Sequence, residues 1–329
     1  MLSGKKILVT GGTGSLGQAI TKKLLKEDVK VIRIFSRDEL KQSIMQSNLN
    51  DKRLRFLIGD IRDKDRLSRA LEDIDIVFHT AALKHVPVAE YNPFEAVKTN
   101  VNGSQNLIDA CLNNNVETVI GIGTDKAVSP LNTYGATKLL MERIFVAANN
   151  YRGDRNTKFI CVRYGNVLGS RGSIVPIFVN QIKSGKEITI TDPNMTRFNI
   201  TMTEALELIF RALKNGKGGE IFVPKLRAYK VESMKDAILD ILNAKNNTKI
   251  IDIRPGEKRH EILINRDEIS KTFENSQDYI IKDEMVVAEN NQFNKTELND
   301  EYSSNKVELL SKQEIKEILL KEKLIDKHV

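Results

Sequence analysis

Short apolar runs and longer amphipathic stretches alternate along the first half of the chain. The runs at residues 5–10, 30–35, 54–58, 75–79, 116–122 and 157–163 are rich in Ile and Val, the look of strands buried on both faces of a parallel sheet. Between them, residues 15–27, 93–112 and 133–149 carry apolar positions at helical spacing. Strands alternating with helices in this way predict an α/β protein built on a doubly wound parallel sheet.

Beyond Gly165 the rhythm changes. Shorter patterns predict a strand at 187–191, a helix at 203–214, a strand at 220–223, a helix at 231–242 and a strand at 249–254. The expected organisation is a sheet domain over 1–165 and a smaller α/β lobe over 166–329, threaded partly back onto the sheet. Residues 265–305 are polar and give no readable element. A helix signal returns at the end: Ser311 and Glu314 form a capping box, and Ile315, Ile318 and Leu319 share one face.

Composition narrows the class. The 329 residues are 40% hydrophobic and 29% charged, as in a globular protein. No apolar run approaches the roughly 18 residues of a membrane span, and the start, MLSGKKILVT, leads straight into a strand without a signal-peptide pattern. A soluble, cytoplasmic protein is therefore expected. Cys111 and Cys161 sit in apolar segments and read as buried thiols. The excess of 51 Lys+Arg over 44 Asp+Glu, a net +7, is dispersed among acidic residues. It does not read as a nucleic-acid surface and suits an anionic nucleotide and a phosphorylated cofactor.

The first strand ends in TGGTGSLG. Gly11, Gly14 and Gly17 open directly into a helix, whose free N–H groups suit a pyrophosphate. Thr13, Ser15 and Leu16 complete this candidate dinucleotide loop. An NAD site usually has an acid at the end of the second strand. Here Ser36 and Arg37 stand there, with Lys41 one helical turn on. A hydroxyl and two cations favour NADP and its 2′-phosphate. The alternative is that Arg37 and Lys41 pair with Asp38 and Glu39 on a solvated face. Asp60, with Ile61 beside it, is placed to meet the adenine or to cap a helix. The small Ala81 and Ala82 let a cofactor ribose lie close to the backbone.

Tyr134 and Lys138 are four apart on a predicted helix and share a face. The lysine is expected to lower the tyrosine pKa and hold a nicotinamide ribose, so that tyrosinate serves as base while hydride leaves a sugar carbon. Thr124 is placed to bond the same hydroxyl. Asp125 and Lys126 add a second acid and a second base that plain hydride transfer does not need. On their own they read equally well as a turn cap and a phosphate ligand. His79 and His85 lack companion ligands in the sequence and do not suggest a metal site.

Taken together, the glycine turn, the tyrosine–lysine pair and the strand order resemble the extended short-chain dehydrogenase/reductases, a Rossmann-like superfamily. The stretches TGGTGSLG, SRDELKQ, AALKHVPVAEYNPFEAVKTN, TDKAVSPLNTYGATK, VRYGNVLGSRGSIVP, ITDPNMTRF and RPGEK, spanning residues 10 to about 258, resemble more narrowly the inverting UDP-N-acetylglucosamine 4,6-dehydratases. One departure is Gly123, where the family pattern implies Ser before Thr-Asp-Lys; that removes one hydrogen bond. The resemblance implies oxidation at C4, removal of the C5 proton by Lys126, protonation of the departing C6 hydroxyl by Asp125, and return of hydride to C6. It implies a tightly bound, internally recycled NADP. Lys126 must then be partly neutral, with burial or the cations Lys84 and Lys138 expected to lower its pKa. Lys84 is implied to touch cofactor and substrate, and Val167 to line the nicotinamide. Asn166, Arg171 and Arg197 resemble contacts to the substrate diphosphate, and Arg254 and Glu257 the uridine end. The family also implies a homo-oligomer, dimer or hexamer, and a product feeding surface sugars such as pseudaminic acid. Two other readings remain: a UDP-N-acetylhexosamine 4-epimerase, and a non-catalytic NADP-sensing protein.

Overall fold

A computed structural model describes residues 1–325 except 171, 254 and 283–292. Six parallel strands form its centre: β1 (Lys6–Thr10), β2 (Val31–Ser36), β3 (Leu54–Ile58), β4 (Ile76–His79), β5 (Thr118–Ile122) and β6 (Lys158–Val162). They lie in the order β3-β2-β1-β4-β5-β6, with Val9 beside Ile34 on one flank and Phe78 on the other. Strand side chains alternate between the faces. Leu8, Val77, Val119 and Phe159 pack into one helical layer. Ile7, Val9, Phe78 and Ile160 pack into the other. The chain reverses its winding between β1 and β4, and the crevice at that switch point is where open α/β sheets hold ligands.

The sheet continues past β6 with residues from the second half of the chain. Glu220–Pro224 lies parallel to β6, and Asp278–Lys282 antiparallel to it. Thr272–Glu274 and Asn294–Lys295 complete a ten-stranded sheet. Thus the stretch with no readable element in the sequence supplies three edge strands. Arg211 fastens this edge, donating two 2.7 Å hydrogen bonds to the buried Asp278.

The rest of the second half makes a separate packing layer. Ile188–Ile190 pairs with Thr248–Ile250, and Thr196–Phe198 with Ala228–Lys230. Helices Ile174–Lys183, Val231–Leu242 and Lys312–Lys321 bury Phe178, Met234, Ile238, Ile315 and Leu319 together. The strand expected at 249–254 is only Thr248–Ile250, and all three residues are exposed. The capping box expected at Ser311 and Glu314 is present.

The helix expected over 93–112 runs from Pro93 to Asn113 but is interrupted by a π turn, Val97–Asn102. The π turn carries Asn100, whose amide grips the loop after β4. It accepts from Leu83 N–H at 2.8 Å and donates to the Leu83 carbonyl and Thr137 Oγ1, each at 3.0 Å. A π bulge of this kind often marks a functional site. Among the described residues no helix is long and apolar enough to cross a membrane.

Candidate active site

The site begins with the turn after β1. Gly11 has φ +65°, and a Cβ there would approach the Ala81 backbone to 2.8 Å. Only glycine accepts both that dihedral and that proximity. Gly14 N-caps the helix Ser15–Leu24 with no side-chain cap and no acid in its first turn. The first N–H groups and the positive end of the helix dipole are left for an anion, which fits a dinucleotide pyrophosphate. Thr13 is buried in this turn.

At the end of β2, Ser36 Oγ accepts from the buried Gln42 amide at 3.0 Å. Arg37 projects outward, 64% exposed and 3.8 Å from Asp60. Lys41 pairs with Asp38 at 2.5 Å. Asp60 caps no helix; Asp63 does that. Asp60 instead takes the Arg62 guanidinium at 2.6 and 2.9 Å, and Ile61 beside it is buried. Ala82 is half-buried and Lys84 exposed along the loop after β4.

The ends of β5 and β6 carry the catalytic candidates. Gly123 N–H donates to the Val162 carbonyl and Asp125 N–H to the Tyr164 carbonyl, so the pairing persists past the strands and fixes Thr124 between them. Asp125–Ala127 then turns as one 3₁₀ segment. The helix Thr133–Tyr151, capped by Asn132, packs against it so closely that a Cβ at Gly135 would overlap the Lys126 carbonyl. Two elements thus meet where the motif needs them.

Thr124 Oγ1 donates to Asp125 Oδ1 at 2.9 Å, and Lys126 Nζ donates to the same oxygen at 3.1 Å. Lys126 Nζ also reaches Asn166 Oδ1 at 3.4 Å and Glu261 Oε1 at 3.3 Å. Burial, reinforced by Glu261, pushes the Asp125 carboxyl up against the opposing pull of Lys126 and Thr124. For Lys126, burial works downward, but Asp125 and Glu261 outweigh it and hold the ammonium well above its usual range. The expected lowering of the Lys126 pKa is therefore overturned in the resting protein, because two buried carboxylates face the amine.

Tyr134 differs from expectation in the same way. Burial raises its phenol to about 12; Lys126 and a hydrogen bond with Thr124 oppose this. Lys138 is buried and lowered to about 8, with Glu142, one turn along the helix, resisting the fall. His79 has Thr10 Oγ1 at 2.8 Å and Ser104 Oγ at 3.1 Å on its two ring nitrogens. Burial and Lys138 lower its pKa to about 3, so it is a neutral link in the core. His85 stands at the N-cap position of a short helix, and its side chain makes no capping hydrogen bond.

Of the substrate candidates, Asn166 reaches Lys126, and Val167 is buried and bridged to Ile200. Arg197 is not an open clamp. It donates to the Thr196 and Arg259 carbonyls at 2.8 and 3.1 Å and lies 3.5 Å from Glu257. Arg171 and Arg254 lie outside the described residues. Glu261 had no signal of its own in the sequence, one acid in the charged run RPGEKRHE. Only its own burial beside Lys126 reveals it.

A doubly wound sheet with Thr124, Tyr134 and Lys138 gathered at its carboxyl edge defines an extended short-chain dehydrogenase/reductase. The chain belongs to the polysaccharide biosynthesis protein family, whose model matches residues 7–283. It is 50% identical, over 85% of its length and 84% of the relative's, to a UDP-N-acetylglucosamine 4,6-dehydratase (inverting) of Campylobacter jejuni. It is 42% identical to a UDP-glucose 4-epimerase of Rickettsia rickettsii over 97% and 96% of the two chains. The X-ray structure of Pen from Bacillus thuringiensis superposes with a TM-score of 0.93 at 39% identity, over 99% of both chains.

Proposed function

We propose that this protein is an NADP-dependent, C5-inverting UDP-N-acetylglucosamine 4,6-dehydratase, working in the cytoplasm toward modified surface sugars such as pseudaminic acid. The observation that carries the reading is the Asp125–Lys126 pair. It adds a hydrogen-bonded acid and base to the tyrosine–lysine machinery, which a dehydratase needs and simple C4 redox chemistry does not. The dehydratase of Campylobacter supports it through identity across most of the chain.

On this reading Thr124 and Tyr134 receive the C4 hydroxyl, and Tyr134 takes its proton. The Gly11–Gly17 turn and Ala81 would hold a nicotinamide cofactor, which would supply an acceptor for the C4 hydride and the donor that returns it to C6. The resulting C4 ketone acidifies the C5 proton. Lys126 removes it, and Asp125 gives a proton to the C6 oxygen as water departs. As hydride returns to C6, C5 takes a proton on its opposite face from a donor in exchange with water, which inverts the centre; Lys126 and Tyr134 end protonated and Asp125 ionised, and exchange with water resets all three. Lys138, lowered by burial, would hold the ribose of that cofactor.

The test is incubation with UDP-N-acetylglucosamine in deuterated water with no added reductant, followed by NMR and mass spectrometry. Loss of one water, with one deuterium at an inverted C5, is the expected product. A mass-neutral change at C4 would replace the reading with a 4-epimerase. No turnover would leave a cofactor-sensing protein.

Cofactor choice gives a separate check. Arg37 is exposed at the end of β2 and, among the described residues, approaches Asp60 at 3.8 Å, whose closer partner is Arg62. It is therefore able to turn toward a 2′-phosphate. Arg37→Ala is expected to weaken NADP binding about tenfold and leave NAD unchanged, a loss of about 1.4 kcal/mol. Equilibrium titration of both nucleotides decides this; equal weakening would count against a 2′-phosphate contact.

A further inference from the structure

Glu261 is the least explained charge in the molecule. It is 3% exposed. Its Oε1 lies 3.3 Å from Lys126 Nζ and 3.8 Å from Arg197 Nε. Its Oε2 is buried with no hydrogen-bond partner among the described residues. Leaving a buried oxygen unpaired is costly, yet the backbone holds the residue firmly. Glu261 N–H donates to Ser304 Oγ at 2.9 Å, and Ser304 N–H donates to the Glu261 carbonyl at 2.8 Å. Ser304 Oγ is itself 2.7 Å from Thr196 Oγ1. Segments far apart in sequence thus converge to hold one carboxylate against the catalytic amine.

Resting on the dehydratase reading, we propose that Glu261 is a positioning residue for the elimination half of the reaction: it anchors Lys126 between two carboxylates and keeps one mobile proton shared between Lys126 and Asp125. Passing that proton across the 3.1 Å hydrogen bond produces the two groups elimination requires, a neutral amine at Lys126 and a carboxylic acid at Asp125. Atoms and charge balance within the pair. The C5 proton restores the ammonium, and the Asp125 proton leaves with the C6 oxygen. Glu261 stays ionised throughout, balanced by Arg197.

The groups facing Glu261 fix the sign of the pH effect. They are Asp125 and Lys126 from the turn after β5, Arg197 from Thr196–Phe198, Tyr229 from Ala228–Lys230, and Lys258 from its own segment; the neighbouring Arg259 and His260 turn instead to Asp192 and Thr196. Burial works to raise Glu261, but Lys126, Arg197 and Lys258 outweigh it and hold it ionised. Its charge in turn raises both Asp125 and Lys126. Removing the charge therefore lowers both, and the pH profile of elimination moves to lower pH.

The experiment compares wild type, Glu261→Gln and Glu261→Asp with UDP-N-acetylglucosamine in deuterated water. Two steps are read separately: reduced-cofactor absorbance in a single turnover for C4 oxidation, and water loss with C5 deuteration for elimination. Expected for Glu261→Gln is C4 oxidation within about threefold of wild type and elimination slowed about 100-fold, its pH profile displaced to lower pH. Glu261→Asp, which keeps the charge, is expected to restore the profile's position and part of the rate. Elimination and pH profile unchanged in Glu261→Gln would overturn the inference alone. So would equal loss of both steps in a variant that melts like wild type, which is the mark of a general structural role. If Glu261→Gln does not fold, Glu261→Asp decides by whether its two steps separate. A wild-type enzyme that loses no water overturns the underlying reading as well, and is recognised without any variant.

Discussion

Lys126→Met is expected to slow water loss from UDP-N-acetylglucosamine by about 1,000-fold, within the range for loss of a positioned general base, and to slow C4 oxidation far less, through the further rise of the Tyr134 phenol once Lys126 no longer opposes its burial. Methionine keeps the unbranched stem and removes only the amine. Tyr134 and Lys138 are carried by the helix Thr133–Tyr151 and Thr124 by the extended backbone after β5, so the C4 machinery does not depend on the ammonium for its position. What is lost is the acceptor of the C5 proton. Without the opposing pull of Lys126, burial and Glu261 raise the Asp125 carboxyl further, so the acid stays loaded with no base to accompany it. The variant should accumulate reduced cofactor and the 4-ketone. Single-turnover absorbance and C5 deuteration give the two rates. Parallel loss of both would place Lys126 in the C4 step or in substrate binding instead.

The first half of the sheet was legible because each strand is a short Ile/Val run closed by turn residues, a pattern that buried parallel strands impose regardless of context. The far edge was not. Asp278–Lys282 and Thr272–Glu274 are short, and they hold their places through distant partners: Glu220–Pro224, and Arg211 on another helix. Nothing local announces them. The site divides along the same line. Thr124, Asp125, Lys126, Tyr134 and Lys138 lie in one continuous stretch, so spacing alone brings them together. Glu261 arrives from a loop 135 residues beyond Lys126 in the chain, and its role depends on burial by Ser304 and Thr196. The Lys126 charge state is illegible in the sequence for a related reason. A sequence shows the cations near Lys126 but not which anions are buried against it.

Gly123 is instructive here. As a departure from the family's Ser it looked like a lost hydrogen bond. In the structure a Cβ at Gly123 would overlap Glu142 Oε1 and come within 2.8 Å of the Val162 carbonyl. Glu142 is fully buried and bound to Arg163. Glycine is therefore what an inward-facing Glu142 requires, and the departure belongs to the ion cluster beneath the site, not to substrate chemistry.

That cluster sets the largest stability effect. Arg163 is 1% exposed. It donates to Glu142 at 2.8 Å, to both Glu268 oxygens at 2.9 Å and to the Leu263 carbonyl at 2.9 Å. Burial disfavours its charge, but Glu142 and Glu268 outweigh this and raise it. Arg163→Met should cost about 3–5 kcal/mol, because it leaves two buried carboxylates without their cation. Denaturant unfolding measures the loss. Replacing Glu142 and Glu268 with Leu in the same variant should recover most of it, since an apolar cluster of similar volume tolerates burial as well as an ion cluster does. Activity should not recover with stability. Glu142 is the anion that resists the burial-driven fall of Lys138. Without it the Lys138 pKa drops further below about 8, the cation proposed to hold a cofactor ribose is lost at neutral pH, and the C4 step is expected to slow while the fold stands. A triple variant with restored stability and wild-type C4 oxidation would confine the cluster to structure. A stable but slow one would tie it to Lys138.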